Sequence, residues 1–82
     1  MQININETEK FPVSDLGLVT YLSLKFPYTN KISESKVVFY FSNDAKVLKE
    51  IDNYWKNIAL VKAKDFSNQL KTIKSIIHSQ LC

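Results

Sequence analysis

The sequence predicts a small α+β domain. The expected architecture is a two-layer sandwich, with an antiparallel sheet of about three to four strands and three helices in the order β-α-β-β-α-(β)-α. Three observations carry this. Val37, Val38, Phe39, Tyr40 and Phe41 are consecutive, three aromatic and two β-branched, the composition of a central strand whose two faces both want cover. Two segments with apolar residues at steps of three and four, and one apolar almost all round, read as helices. One Gly and two Pro in 82 residues argue for long regular elements and short loops. The length makes one domain, expected over residues 10–82 behind a polar segment at 1–9. With 45% hydrophobic and 12% aromatic residues it can form a core.

Residues 1–9 are polar except for Ile3 and Ile5, an alternation that suits either a short edge strand or a frayed tail. Phe11, Pro12 and Val13 should be extended, because a proline restricts the residue before it to extended geometry. Ser14 then reads as an N-cap, with Asp15 favourable in the first turn. The first helix should run over residues 15–25. Its Leu16, Leu18, Val19, Tyr21, Leu22 and Leu24 leave only a narrow polar strip. A helix so apolar is either deeply buried or covered by a partner.

Phe26-Pro27 ends that helix. Residues 28–32 form a second extended segment, and Ser33-Glu34-Ser35 turns it into the central strand as an antiparallel hairpin. Along that strand Val37, Phe39 and Phe41 share one face, expected to meet the helices, and Val38 and Tyr40 share the other. Ser42 or Asn43 caps a second helix over residues 44–56, with the stripe Val47, Leu48, Ile51, Tyr54, Trp55 and Ile58. Asn57 suits a left-handed C-cap. Residues 58–61 can make a small strand. The last helix spans residues 63–81, its apolar stripe Phe66, Leu70, Ile73, Ile77 and Leu81. Lys64, Lys71, Lys74 and His78 form a second stripe roughly 110–120° round the same axis.

The order of these signals resembles an uncharacterised family of small bacterial, archaeal and phage proteins, a domain of unknown function. The resemblance rests on Phe11, Ser14, Asp15, Leu16, Gly17 and Leu18, then Tyr21, Leu22 and Lys25. It continues through residues 37–41, resumes at Tyr54, Trp55, Lys56 and Asn57, and ends with Val61, Phe66, Leu70 and Lys71. The family tends to carry two small residues where Val19-Thr20 stand, Lys-Gly where Lys25-Phe26 stand, and an acidic helix start where Lys62 stands. The resemblance implies a compact α/β unit of prokaryotic or phage origin and brings no activity with it.

Charge is unevenly spread. The formal net charge is +3, and all eleven basic residues are Lys. Residues 1–9 hold two Glu and no Lys; residues 56–82 hold five Lys and one Asp. Lysine is a point charge without the planar fork that reads guanine, so any nucleic-acid contact should be with backbone phosphate. Lys62, Lys64, Lys71, Lys74 and His78 are the candidate nucleic-acid-binding residues; the plainer alternative for such a stripe is a solvated helix face. An AT-rich genome would also account for the lysines.

Nothing in the sequence points to catalysis. The lone His78 has no nucleophile or carboxylate at helical spacing, and the single Cys82 is the last residue. The carboxylates are scattered, a single Gly cannot build a phosphate loop, and no cysteine set suits a metal. No cofactor is expected. With no basic-then-apolar leader and no apolar run of about 18 residues, a cytoplasmic setting without a membrane partner is expected. The aromatics Tyr21, Tyr28, Tyr40, Tyr54 and Trp55 invite a stacking role, but most fall on apolar stripes and read as core. The expected function is non-catalytic: an accessory module binding another protein, or itself as a homo-oligomer, through apolar surface at Tyr21, Tyr28, Val38 and Tyr40. The alternative is DNA or RNA backbone held on the lysine stripe.

Overall fold

The computed structural model describes residues 10–81. The polar segment at 1–9 and the terminal Cys82 lie outside the described residues. The elements are β1 (Lys10–Val13), α1 (Leu16–Ser23), β2 (Thr29–Ser33), β3 (Lys36–Ser42), α2 (Ala45–Trp55) and α3 (Ala63–Leu81). This is an α+β fold with three helices and a three-stranded antiparallel sheet ordered β1-β3-β2. Residues 58–61 form no strand.

β3 is the central strand. Phe11 pairs with Phe41 and Val13 with Phe39 on one side, Asn30 with Phe39 and Ile32 with Val37 on the other. Paired residues of antiparallel strands point to the same face. Val13, Val37, Phe39 and Phe41 accordingly sit together in the core with Leu18, Leu22 and Ile73. Val38 and Tyr40, on the opposite face, are only half-buried. The face expected to meet the helices, Val37, Phe39 and Phe41, is the one that does so.

The β2–β3 hairpin closes over two residues, since Ser33 pairs directly with Lys36. Both turn residues are left-handed, Glu34 at φ 52° and Ser35 at φ 70°. That is the signature of a type I′ turn, which favours Asn-Gly because a side chain at positive φ crowds its own backbone. Replacing Glu34-Ser35 by Asn-Gly is expected to stabilise the fold by about 1 kcal/mol, read as a higher midpoint in urea at unchanged slope. A lower midpoint would show that the turn is not of this type.

α1 is buried nearly all round: Leu18, Val19, Thr20, Tyr21 and Leu22 are at most 4% exposed. It is wedged against α2 and α3 while also joining the sheet's core. The buried Thr20 is tolerated because its hydroxyl donates to the Leu16 carbonyl at 2.8 Å. The cap is Asp15, not Ser14: its carboxylate accepts from Leu18 N at 2.9 Å. Likewise Asp44 caps α2, in place of Ser42 or Asn43, accepting from Val47 N at 3.1 Å. In both cases a carboxylate one residue further on adds charge against the helix dipole.

α2 ends in a Schellman motif. Asn57 is left-handed at φ 62°. Its N–H donates to the Tyr54 carbonyl and that of Ile58 to the Asn53 carbonyl, each at 3.0 Å. The stripe along this helix is wider than the face it buries. Val47 is buried and Ile51 and Tyr54 half-buried, but Leu48 is 43%, Trp55 61% and Ile58 60% exposed. α2 packs mainly on α1, at the side of the molecule, and one contact line cannot cover so broad a stripe.

α3 crosses from α1 to the sheet, burying Ile73 completely, with Phe66, Ile76 and Ile77 against the core. Gln69 Nε2 donates to Ser23 Oγ and Gln80 Nε2 to Asn30 Oδ1, each at 2.9 Å. Lys62 stands at its start, with its carbonyl taking the first helical hydrogen bond from Phe66 N at 3.0 Å. Asp15 and Asp44 hold the same position on the other helices, but a lysine side chain cannot accept from backbone N–H groups. Lys62→Asp is therefore expected to raise stability by about 1 kcal/mol, seen as a higher Tm. An unchanged or lower Tm would mean that this helix start is already satisfied.

Candidate functional site

A groove lies where α1, the end of α2 and the start of α3 meet. The chain leaving α2 runs irregularly through residues 57–62 before α3 begins. This leaves a groove of about 390 Å³ lined by Tyr21, Tyr54, Trp55, Asn57, Ala59, Val61 and Phe66. Four of the seven lining residues are aromatic. The rings of Tyr21 and Tyr54 lie 5.8 Å apart at 33°, and those of Tyr54 and Trp55 5.2 Å apart at 84°. Such offset and edge-on arrangements hold rings in place. The same segment exposes further apolar side chains: Ile58 is 60%, Leu60 86% and Val61 41% exposed.

Two phenols fix its deeper side. The Tyr21 hydroxyl donates to Glu50 Oε1 at 2.5 Å, tying α1 to α2. Burial, then the hydrogen bond to Glu50 and that carboxylate's charge, push the Tyr21 phenol up to about 12. Burial, followed by the charge of Asp15, also raises the Tyr54 phenol. The Tyr54 hydroxyl rests over Gly17, where any Cβ would overlap it. Gly17 thus leaves room for the Tyr54 hydroxyl against α1. On the Tyr21 wall, Lys25 Nζ stands 5.3 Å from the ring centroid, within cation–π range.

The residues singled out from the sequence fall in four places. Tyr21 is 3% exposed, so it contributes the floor of the groove rather than free surface. Tyr28 is half-buried just before β2, its ring 5.8 Å from Phe39 and 6.0 Å from Phe41. Val38 and Tyr40 lie together on the outer face of the sheet, with Lys31 Nζ 5.6 Å from the Tyr40 centroid. Lys62, Lys64, Lys71, Lys74 and His78 are all exposed. The last four follow one side of α3, and Lys62 and Lys64 come closest in sequence to the groove. Among the described residues no group of three His, Cys, Asp or Glu side chains is arranged to hold a metal ion. No described helix is long and apolar enough to cross a membrane.

The groove and the elements that shape it fall within one family match. A family model described as a domain of unknown function, DUF5659, matches residues 8–79. The chain belongs to this family. The DUF5659 match starts two residues before β1 and stops two residues short of the end of α3, so all six elements take part. No curated protein and no solved structure matches the chain.

The groove itself was not anticipated. Periodicity puts Trp55 and Ile58 on the apolar stripe of α2 and residues 58–61 in a small strand. One sequence signal does point to them. Trp55, Ile58, Ala59, Leu60 and Val61 crowd five apolar residues into seven positions across a helix end, where neither helical nor strand periodicity supplies a partner.

Proposed function

We propose that this DUF5659 domain is a non-catalytic protein-interaction module, docking through the apolar surface around residues 55–61. The observation that carries the reading is the concentration of exposed apolar side chains there: Trp55, Ile58, Leu60 and Val61 are 41–86% exposed, and Trp55 and Val61 line an aromatic groove. Small monomeric domains rarely leave that much contiguous apolar surface to water unless a partner covers it. Tryptophan at a groove wall is also the residue type most often found to anchor an interface. Val38 and Tyr40 offer a second, flatter surface on the outer face of the sheet, whereas Tyr28 packs against Phe39 and Phe41 on the inner face. A second reading, backbone contact with nucleic acid, is supported by the shared exposure of Lys64, Lys71, Lys74 and His78 along α3.

The test is affinity capture with the full chain from lysate of its native host, repeated with Trp55→Ser/Leu60→Ser and with Lys71→Glu/Lys74→Glu. All four side chains are exposed, so both double variants should keep the fold, checked by circular dichroism. The expected result is a protein partner that survives nuclease treatment and added salt, and is lost with the Trp55/Leu60 variant. Capture abolished by nuclease, or by the Lys71/Lys74 variant alone, would overturn this reading in favour of nucleic acid.

A further inference from the structure

The charges beside the groove's aromatic walls indicate what kind of side chain it takes. We infer that it receives an arginine side chain of a partner protein, with the guanidinium against the aromatic rings and drawn there by the carboxylates of Asp15 and Glu50. The inference rests on the reading of this groove as a protein-docking surface and adds the chemistry of the partner's anchor.

Three observations support it. The first is the lining: Tyr21, Tyr54, Trp55 and Phe66 are aromatic, and the other three lining residues carry no charge. The Tyr54 and Trp55 rings meet at 84°, which makes a corner rather than a flat stack. Aromatic rings attract organic cations through the negative charge of their faces. Arginine suits them better than lysine, because a guanidinium is planar and weakly hydrated.

The second is negative charge at two of the lining phenols. Glu50 Oε1 accepts from the Tyr21 hydroxyl, and Asp15 Oδ2 borders the same space over Gly17 as the Tyr54 hydroxyl. The hydrogen bonds that these carboxylates accept, from a phenol and from Leu18 N, leave their charge in place. Neither forms an ion pair among the described residues. The third is Lys25, whose Nζ stands 5.3 Å from the Tyr21 centroid. The chain's own cation thus meets one of these rings without pairing with either carboxylate.

That arrangement selects among occupants. A second copy has no arginine to offer, since all eleven basic residues of the chain are Lys. A nucleic-acid strand would bring phosphates towards two carboxylates, like charge against like. A wholly apolar side chain would use the rings and leave the carboxylates unanswered. Arginine uses both, and its methylene stem suits the apolar Ala59 and Val61 of the lining.

Trp55 is the only tryptophan and lines the groove at 61% exposure, so its emission reports occupancy directly. The experiment titrates the full chain with short synthetic peptides, blocked at both ends, that hold one residue between leucines. That residue is arginine in the first, lysine in the second, and in the third citrulline, the neutral isostere of arginine. A single-stranded oligonucleotide is the last probe. The expected result is a saturable shift of the Trp55 emission with the arginine peptide, about tenfold weaker with citrulline and roughly fivefold weaker with lysine. Asp15→Asn/Glu50→Gln removes both charges and keeps both hydrogen bonds, because asparagine caps a helix as well as aspartate and a glutamine carbonyl still accepts from Tyr21. It should weaken the arginine peptide about tenfold and leave the citrulline peptide unmoved. Equal binding of the citrulline or the lysine peptide, or an unchanged affinity in the double variant, would overturn the inference and leave the docking surface standing. Binding of the oligonucleotide alone would overturn both. Silence from every probe would overturn the inference, and the capture experiment would then decide the docking surface by itself.

Discussion

Phe39→Ala is expected to cost about 3–5 kcal/mol, the usual loss when a fully buried aromatic ring is deleted from a core. Phe39 is 1% exposed, sits at the middle of the central strand and touches the Tyr28 ring. A domain of 82 residues has a total margin of roughly 4–12 kcal/mol, so this one change should leave it barely folded at room temperature. The informative comparison is Tyr40→Ala, one residue along the same strand. Tyr40 is half-buried on the opposite face, where Lys31 meets its ring, and its loss should cost about 1 kcal/mol. Urea unfolding of the two variants checks the difference. Equal losses would mean that the outer face of the sheet is as well packed as the inner one.

The second large effect is a loss of stability in alkali, centred on Tyr21. Its phenol is pushed from 10.0 to about 12, first by burial and then by Glu50. The folded state therefore holds this proton more tightly than the unfolded chain does. Its contribution is fully present below pH 10 and is lost as the pH rises from 10 towards 12, by on the order of 1 kcal/mol once solvent screening of the part-buried Tyr21–Glu50 pair is allowed for. The Tyr54 phenol, also raised, acts in the same direction. Urea midpoints measured across this range should fall steeply for the wild type and more gently for Tyr21→Phe, which has no phenol to ionise at that position. Parallel curves for the two proteins would sink the assignment.

Much of the fold was legible because its strongest elements declare themselves locally. Five consecutive aromatic and β-branched residues need a sheet around them, and β3 is the centre of one. The last helix could be placed from Ala63 to Leu81 because its period is regular along its whole length. What periodicity cannot reveal is whether an element lies opposite a stripe. The α2 stripe is as clean as that of α3, yet α2 packs mainly on α1, so Leu48 and Trp55 stay in water. The all-round apolar α1 has the opposite history: its residues leave no doubt that it must be covered, and neighbouring helices of the same chain do it. Helix starts were misplaced by one or two residues because several candidate caps stand in a row, and only geometry decides which oxygen reaches the third N–H. The groove arises from an irregular segment, and its shape depends on how far apart the ends of α2 and α3 are held.

The Glu34–Ser35 turn has a bearing on time as well as on stability. The hairpin it closes spans only two residues, so β2 and β3 can meet within microseconds, whereas β1 reaches β3 only after α1 and β2 have been laid between them. A chain that must first pass through a reluctant left-handed pair is slowed at its earliest long-lived contact. The Asn-Gly replacement should consequently act on the folding arm of the chevron, quickening refolding and leaving the rate of unfolding nearly unchanged.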